Sequence, residues 1–143
     1  MAAPRTQGGT ARTKARKRAL DLLFAAEARN MSAGALLDEQ LADGQMPNNP
    51  YTVTLVRGVV AELPRIDEVI ARYAEGWTLD RMPAVDRNVL RLGVWELLFA
   101  EDIPEHVAMS EAVELVRVLS SDESPTFVNG VLAAIARDRA SLG

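Results

Sequence analysis

Two residue types that handle nucleic acid stand together near the start of the chain. Within ARTKARKRALDLLF, residues 11–24, the cations Arg12, Lys14, Arg16 and Lys17 are followed by Phe24. Lys and Arg neutralise phosphates and release their counterions. An aromatic ring offers an unpaired base a stacking surface, worth about 1–3 kcal/mol. Advancing 100° per residue, Lys14, Lys17 and Phe24 share one arc, opposite Ala19, Leu22, Leu23 and Ala26, with Leu20 at the margin. A large ring on the solvent side of a cationic helix calls for something to cover it. That cover is either a bound base or a neighbouring helix, in which case the cations are simply a solvated face.

A second candidate lies in ESPTFVNG, where Glu123 precedes a helix start and Phe127 falls within the first turn. Free backbone N–H groups at such a start can receive oxygens of an anionic ligand. Phe127 then either stacks on a ligand or fixes the entry angle of the helix. Enzyme chemistry is poorly represented. His106 is the one histidine and has no base–nucleophile constellation around it in sequence. Asp122 and Glu123 read as first-turn acids that favour the helix dipole. There is no cysteine, which excludes disulfides, thiolate catalysis and Cys-based metal sites, and no Gly-rich phosphate loop. No catalytic residue, metal or cofactor is expected.

The elements that must position these groups read as helices throughout, giving an all-α fold. No segment has the period-2 alternation of a strand. Residues 1–10, MAAPRTQGGT, offer nothing to bury and read as a disordered arm, with a single domain over residues 11–143. A first helix is expected from about residue 10 to 29. Ser32 is placed to cap a second helix with Leu36, Leu37 and Leu41, stopping near Gly44, before a loop at residues 46–50. A third helical region carries Leu55, Val56, Val59, Val60 and Leu63, then Ile66, Val69, Ile70 and Tyr73, with a kink or break at Pro64. Residues 84–100 are apolar nearly all round and so are expected at the centre, with a close helix crossing at Gly93. Ser110 is expected to cap the next helix, and Ser124 with Pro125 to open the last.

Charge is unevenly distributed over the 143 residues. The net formal charge is -4, yet the first twenty residues hold six cations and no acid, leaving ten cations against twenty acids elsewhere. A basic end on an acidic body suits an anionic ligand at one site and a basic partner at another. No apolar run is long enough for a membrane span and no secretory h-region follows the cations, so a cytoplasmic protein is expected.

Three blocks in order, ARKRALDLLFAAE, PAVDRNVLRLGVWELL and EAVELVRVLSSDESPTFVNGVL, resemble the NusB family of bacterial transcription antitermination factors. The resemblance covers nearly the whole chain from about residue 12, and its SxxFVNGVL ending is its most specific part. It implies two small helical bundles sharing a central helix, with about six to seven helices. It also implies binding to the boxA element of nascent RNA together with the ribosomal protein that doubles as NusE. The setting is an RNA polymerase elongation complex with other Nus factors on ribosomal RNA operons. By position, the resemblance assigns RNA contact to Arg12, Lys14, Arg16, Lys17, Phe24, Glu123 and Phe127, and a NusE-facing acid to Asp86. At position 24 other members have tyrosine, so Phe24 keeps the stacking face and lacks the hydroxyl. Some members form homodimers that cover the RNA surface. Alternative readings are an accessory RNA-binding module working with a separate rRNA methyltransferase and a helical scaffold that binds protein only.

Overall fold

A computed structural model describes residues 3–44 and 49–142, with side chains from residue 11 onward. Among the described residues there are eight α-helices, one 3-10 turn and no strand. The chain divides into two compact units, Met1–Val60 and Ala61–Gly143.

In the first unit, α1 (Ala3–Ala28) packs against α2 (Ala33–Ala42), and α3 (Pro50–Ala61) follows. Ala15, Ala19, Leu20, Leu22, Leu23 and Ala26 of α1 are buried, as are Leu36 and Leu37 of α2 and Leu55, Val56 and Val59 of α3. Alanine and leucine share the buried stripe of α1 equally, three of each. Leu41 and Val60, expected in the core, are exposed. Each lies within the last two residues of its element or unit, where fewer neighbours remain to cover it. The Ser32 hydroxyl accepts from the Ala35 N–H at 3.2 Å, the expected cap. Beyond the α2 terminus Gly44 adopts φ 71°, the left-handed conformation that glycine takes without a Cβ penalty.

The backbone of residues 3–10 continues α1, where composition suggested an unstructured arm; residues 1 and 2 lie outside the described residues. Once the packed part of a helix is nucleated, each added residue gains a hydrogen bond at little further cost. Residues 46–48 of the expected loop also lie outside the described residues.

The second unit begins with α4 (Leu63–Tyr73), then a 3-10 turn (Leu79–Arg81), α5 (Ala84–Leu98), α6 (Glu105–Leu119), α7 (Ser124–Arg137) and the short α8 (Arg139–Leu142). Pro64 stands in the first turn of α4, so the expected interruption is a clean restart. Within this unit α5 packs against α4, α6, α7 and α8, matching a helix apolar on nearly every side. The helix α6 starts five residues before the expected Ser110, directly after Pro104, whose fixed φ of -63° suits a helix entry. Ser110 lies inside it and donates to the Val107 carbonyl.

Gly93 marks the close crossing. A Cβ there would meet the Leu132 methyls of α7 at 3.0 and 3.2 Å, and the Ala112 Cβ of α6 at 3.7 Å. Leu132 is fully buried, so its methyls can give way only against their own neighbours. Gly130 of α7, by contrast, has open space where a Cβ would go. Gly93→Ala is therefore expected to lower stability by roughly 1–2 kcal/mol, overpacking outweighing the gain in helix propensity. Gly130→Ala should raise stability by about 0.5–1 kcal/mol. Urea denaturation of the two variants checks the opposite signs.

Candidate nucleic-acid interface

Helix α1 is seated on the start of α3 by side chains that grip its backbone. The buried Thr52 hydroxyl donates to the Ala15 carbonyl at 3.1 Å, and the Asn49 amide donates to the Ala11 carbonyl at 3.2 Å. From α2, Gln40 accepts from Arg18 at 3.2 Å. With its inner face fixed, the outer face of α1 presents what the wheel placed there. Lys14 and Lys17 are exposed, and Phe24 is 44% exposed. Among the described residues the neighbouring helices leave the Phe24 side chain partly open to solvent. Lys17 pairs with Asp21 one turn on, at 3.1 Å, with both side chains about half exposed. Such a surface pair is worth about 0–1 kcal/mol, so a phosphate can replace the carboxylate at little cost.

The other two predicted cations of α1 lie elsewhere. Arg12 is half-buried, its guanidinium carbon 4.4 Å from the centroid of the Tyr51 ring. Arg16 is 3% exposed, with its guanidinium 5.6 Å from the same ring. It is thus not part of the exposed cationic face. Its position explains this, because residue 16 lies three, four and seven places before the buried Ala19, Leu20 and Leu23. Ala11, Arg12, Asn49, Pro50, Tyr51 and Thr54 line a surface notch of about 360 Å³.

In the second unit a pocket of about 330 Å³ is lined by Trp77, Met82, Pro83, Asp86, Ser121, Glu123, Ser124 and Phe127. Here the expected pair Glu123 and Phe127 do come together, Glu123 exposed and Phe127 half-buried. The Phe127 ring stands 6.1 Å from that of Trp77, tilted by 60°. Trp77 is 49% exposed, a large ring held at the mouth of an apolar pocket. It was missed as a site residue because it falls in the connection before the 3-10 turn. The available signal was the cost of an exposed indole in an otherwise polar loop. Tyr51 was missed likewise; its signal was an aromatic directly after the Pro50 that opens α3.

Asp86 is buried. The resemblance put it on a partner-facing surface, but it is 3% exposed. Its Oδ1 accepts from the Ser120 hydroxyl at 2.6 Å, and the Ser124 hydroxyl lies 2.9 and 2.8 Å from its two oxygens. A carboxylate withdrawn from water needs such donors. Asp86 therefore ties the end of α6 and the start of α7 to the first turn of α5. The same bond explains why Ser124 does not cap α7: its hydroxyl is turned inward, and Glu123 takes the cap position without a side-chain bond.

Replacing Asp86 by Ala strands two hydroxyls and is expected to lower stability by about 2–3 kcal/mol. Glu123→Gln, at the exposed rim, should change stability by no more than about 0.5 kcal/mol. Urea denaturation followed by tryptophan fluorescence distinguishes the two.

Among the described residues no helix is long and apolar enough to cross a membrane. The sequence model of the NusB family matches residues 13–137. A transcription antitermination protein NusB of Nocardioides sp. is 62% identical over 133 residues, which span 93% of this chain and 98% of that protein. A second, from Kineococcus radiotolerans, is 53% identical over 92% of this chain and 97% of that protein. Among solved structures, T. maritima NusB superposes with a TM-score of 0.80 at 37% identity, covering 90% of this chain and 92% of that one. A chain from the crystal structure of antitermination factors NusB and NusE in complex with dsRNA gives a TM-score of 0.77 at 31% identity, over 90% of this chain and 97% of that one. The family match spans most of the chain, and these relatives are matched almost end to end: this chain belongs to the NusB family.

Proposed function

We propose that this chain is an RNA-binding transcription antitermination factor. It binds boxA-type nascent RNA in the cytoplasm, together with NusE, and promotes read-through of ribosomal RNA operons. The observation that carries the reading is the outer face of α1, where exposed Lys14 and Lys17 lie in line with a solvent-exposed Phe24, backed by a buried stripe. Lys14 and Lys17 take phosphates, and Phe24 stacks on a base. Arg12 joins them from the notch beside Tyr51. Glu123 and Phe127 line a separate pocket in the second unit, where the ring can stack on a base and the carboxylate can accept from its amino edge. Arg16 and Asp86, being buried, act by holding structure rather than by touching RNA or NusE. Near-complete coverage of relatives named for antitermination favours this reading over an accessory module of a methyltransferase.

Anisotropy of a labelled boxA-like RNA, measured with and without NusE across salt concentrations, tests the reading. Affinity should fall steeply with salt and rise with NusE. Neutralising Lys14 and Lys17 together should flatten the slope of log K against log salt by about 1.4, two single-strand phosphate contacts. Phe24→Ala should weaken binding by roughly five- to a hundredfold, matching a stacking loss of about 1–3 kcal/mol, with thermal unfolding unchanged. Equal binding of a scrambled RNA, with no effect of NusE, would overturn the reading.

A further inference from the structure

We infer that Tyr51 is a positioning residue for RNA recognition: its ring holds the Arg12 guanidinium at the notch between α1 and the start of α3. The inference rests on the RNA reading of α1 and adds to it a residue outside that helix. Four observations converge on the arrangement. Arg12 lies 4.4 Å from the ring centroid, within cation–π range. Arg16 lies 5.6 Å from the same ring, one helical turn below. Two α1 carbonyls, each one residue before an arginine of this pair, those of Ala11 and Ala15, accept hydrogen bonds from Asn49 and Thr52, which stand two before and one after Tyr51. Finally, Arg12 and Tyr51 line the same open notch of about 360 Å³.

Physically, the arrangement solves two problems. Arg12 and Arg16 are four residues apart on one helix, where like charges repel. The negative face of the Tyr51 ring offsets that repulsion from the side. An unrestrained arginine also loses rotamer freedom when it grips a phosphate, whereas one already laid on a ring has lost much of it beforehand. A guanidinium on a ring keeps its in-plane N–H groups directed around the ring edge, the geometry that a phosphate's oxygens accept in pairs. The ring thus converts a flexible cation into a fixed one at the notch, off the face of α1 that carries Lys14 and Lys17.

The test is a double-mutant cycle on the full chain, read by anisotropy of the labelled boxA-like RNA over a range of salt. Tyr51→Phe keeps the ring and is expected to bind within twofold of wild type. Tyr51→Leu should weaken binding about three- to tenfold and reduce the salt slope by about 0.7, one phosphate contact. Arg12→Gln should do the same, and adding Tyr51→Leu to it should cost less than a further twofold, since both remove one interaction. Thermal unfolding accompanies each variant, and Tyr51→Gln, suited to a half-buried site, replaces the leucine variant should that one not fold. Unchanged affinity and slope on loss of the ring, or losses that add fully to those of Arg12→Gln, would overturn the inference. Absence of salt-dependent binding by the wild type would instead overturn the RNA reading itself.

Discussion

The buried hydrogen bond from the Thr52 hydroxyl to the Ala15 carbonyl, 3.1 Å long, does more than satisfy two polar groups. A helix advances 100° per residue, so a slip of one residue in how α1 is seated would rotate every side chain on it to a new direction. The Ala15–Ala19–Leu23 stripe sets the depth of the seat, and Thr52 and Asn49 fix its register by gripping carbonyls that a helix interior does not normally lend. The outward direction of Lys14, Lys17 and Phe24 follows from that seat. An acidic protein can thereby hold its densest positive charge on a core helix without a linker: the packing of one face defines the geometry of the other.

In the second unit the corresponding constraint is Asp86. Its carboxylate is withdrawn from solvent and joins the end of α6 to the start of α7 through Ser120 and Ser124. The turn between those helices carries Glu123 and leads directly to Phe127, so a buried acid determines where an exposed acid and a half-buried ring stand. Trp77 completes that pocket from the far side. An acid that position alone would assign to a partner surface instead holds the residues that line the pocket.

Periodicity revealed the helices and most of the core. The face of α1 read from the wheel is the face that is buried, and α5, apolar nearly all round, is enclosed by its unit. Gly93 marked a close crossing because a glycine inside a helix is costly unless something must come near. What periodicity could not supply was tertiary partnership. Arg16 is assigned RNA contact by the resemblance alone, whereas its spacing from Ala19 and Leu23 puts it on the buried side, where the structure has it. Asp86 could not be recognised as internal without knowing that Ser120 and Ser124, more than thirty residues away, would reach it. Tyr51 and Trp77 lie at element edges where no periodic signal operates, and only their exposure or ring contacts reveal a role.

The claim at the centre of this account is that one face of α1 packs while the opposite face binds RNA. Backbone and side-chain NMR of the full chain, recorded as a boxA-like RNA is added, tests it directly. The largest shifts should fall on Lys14, Lys17 and the Phe24 ring, with Arg12 responding from its notch and the Leu22 and Leu23 methyls on the inner face little changed. Shifts confined to the second unit, with the Phe24 ring unmoved at saturating RNA, would contradict it.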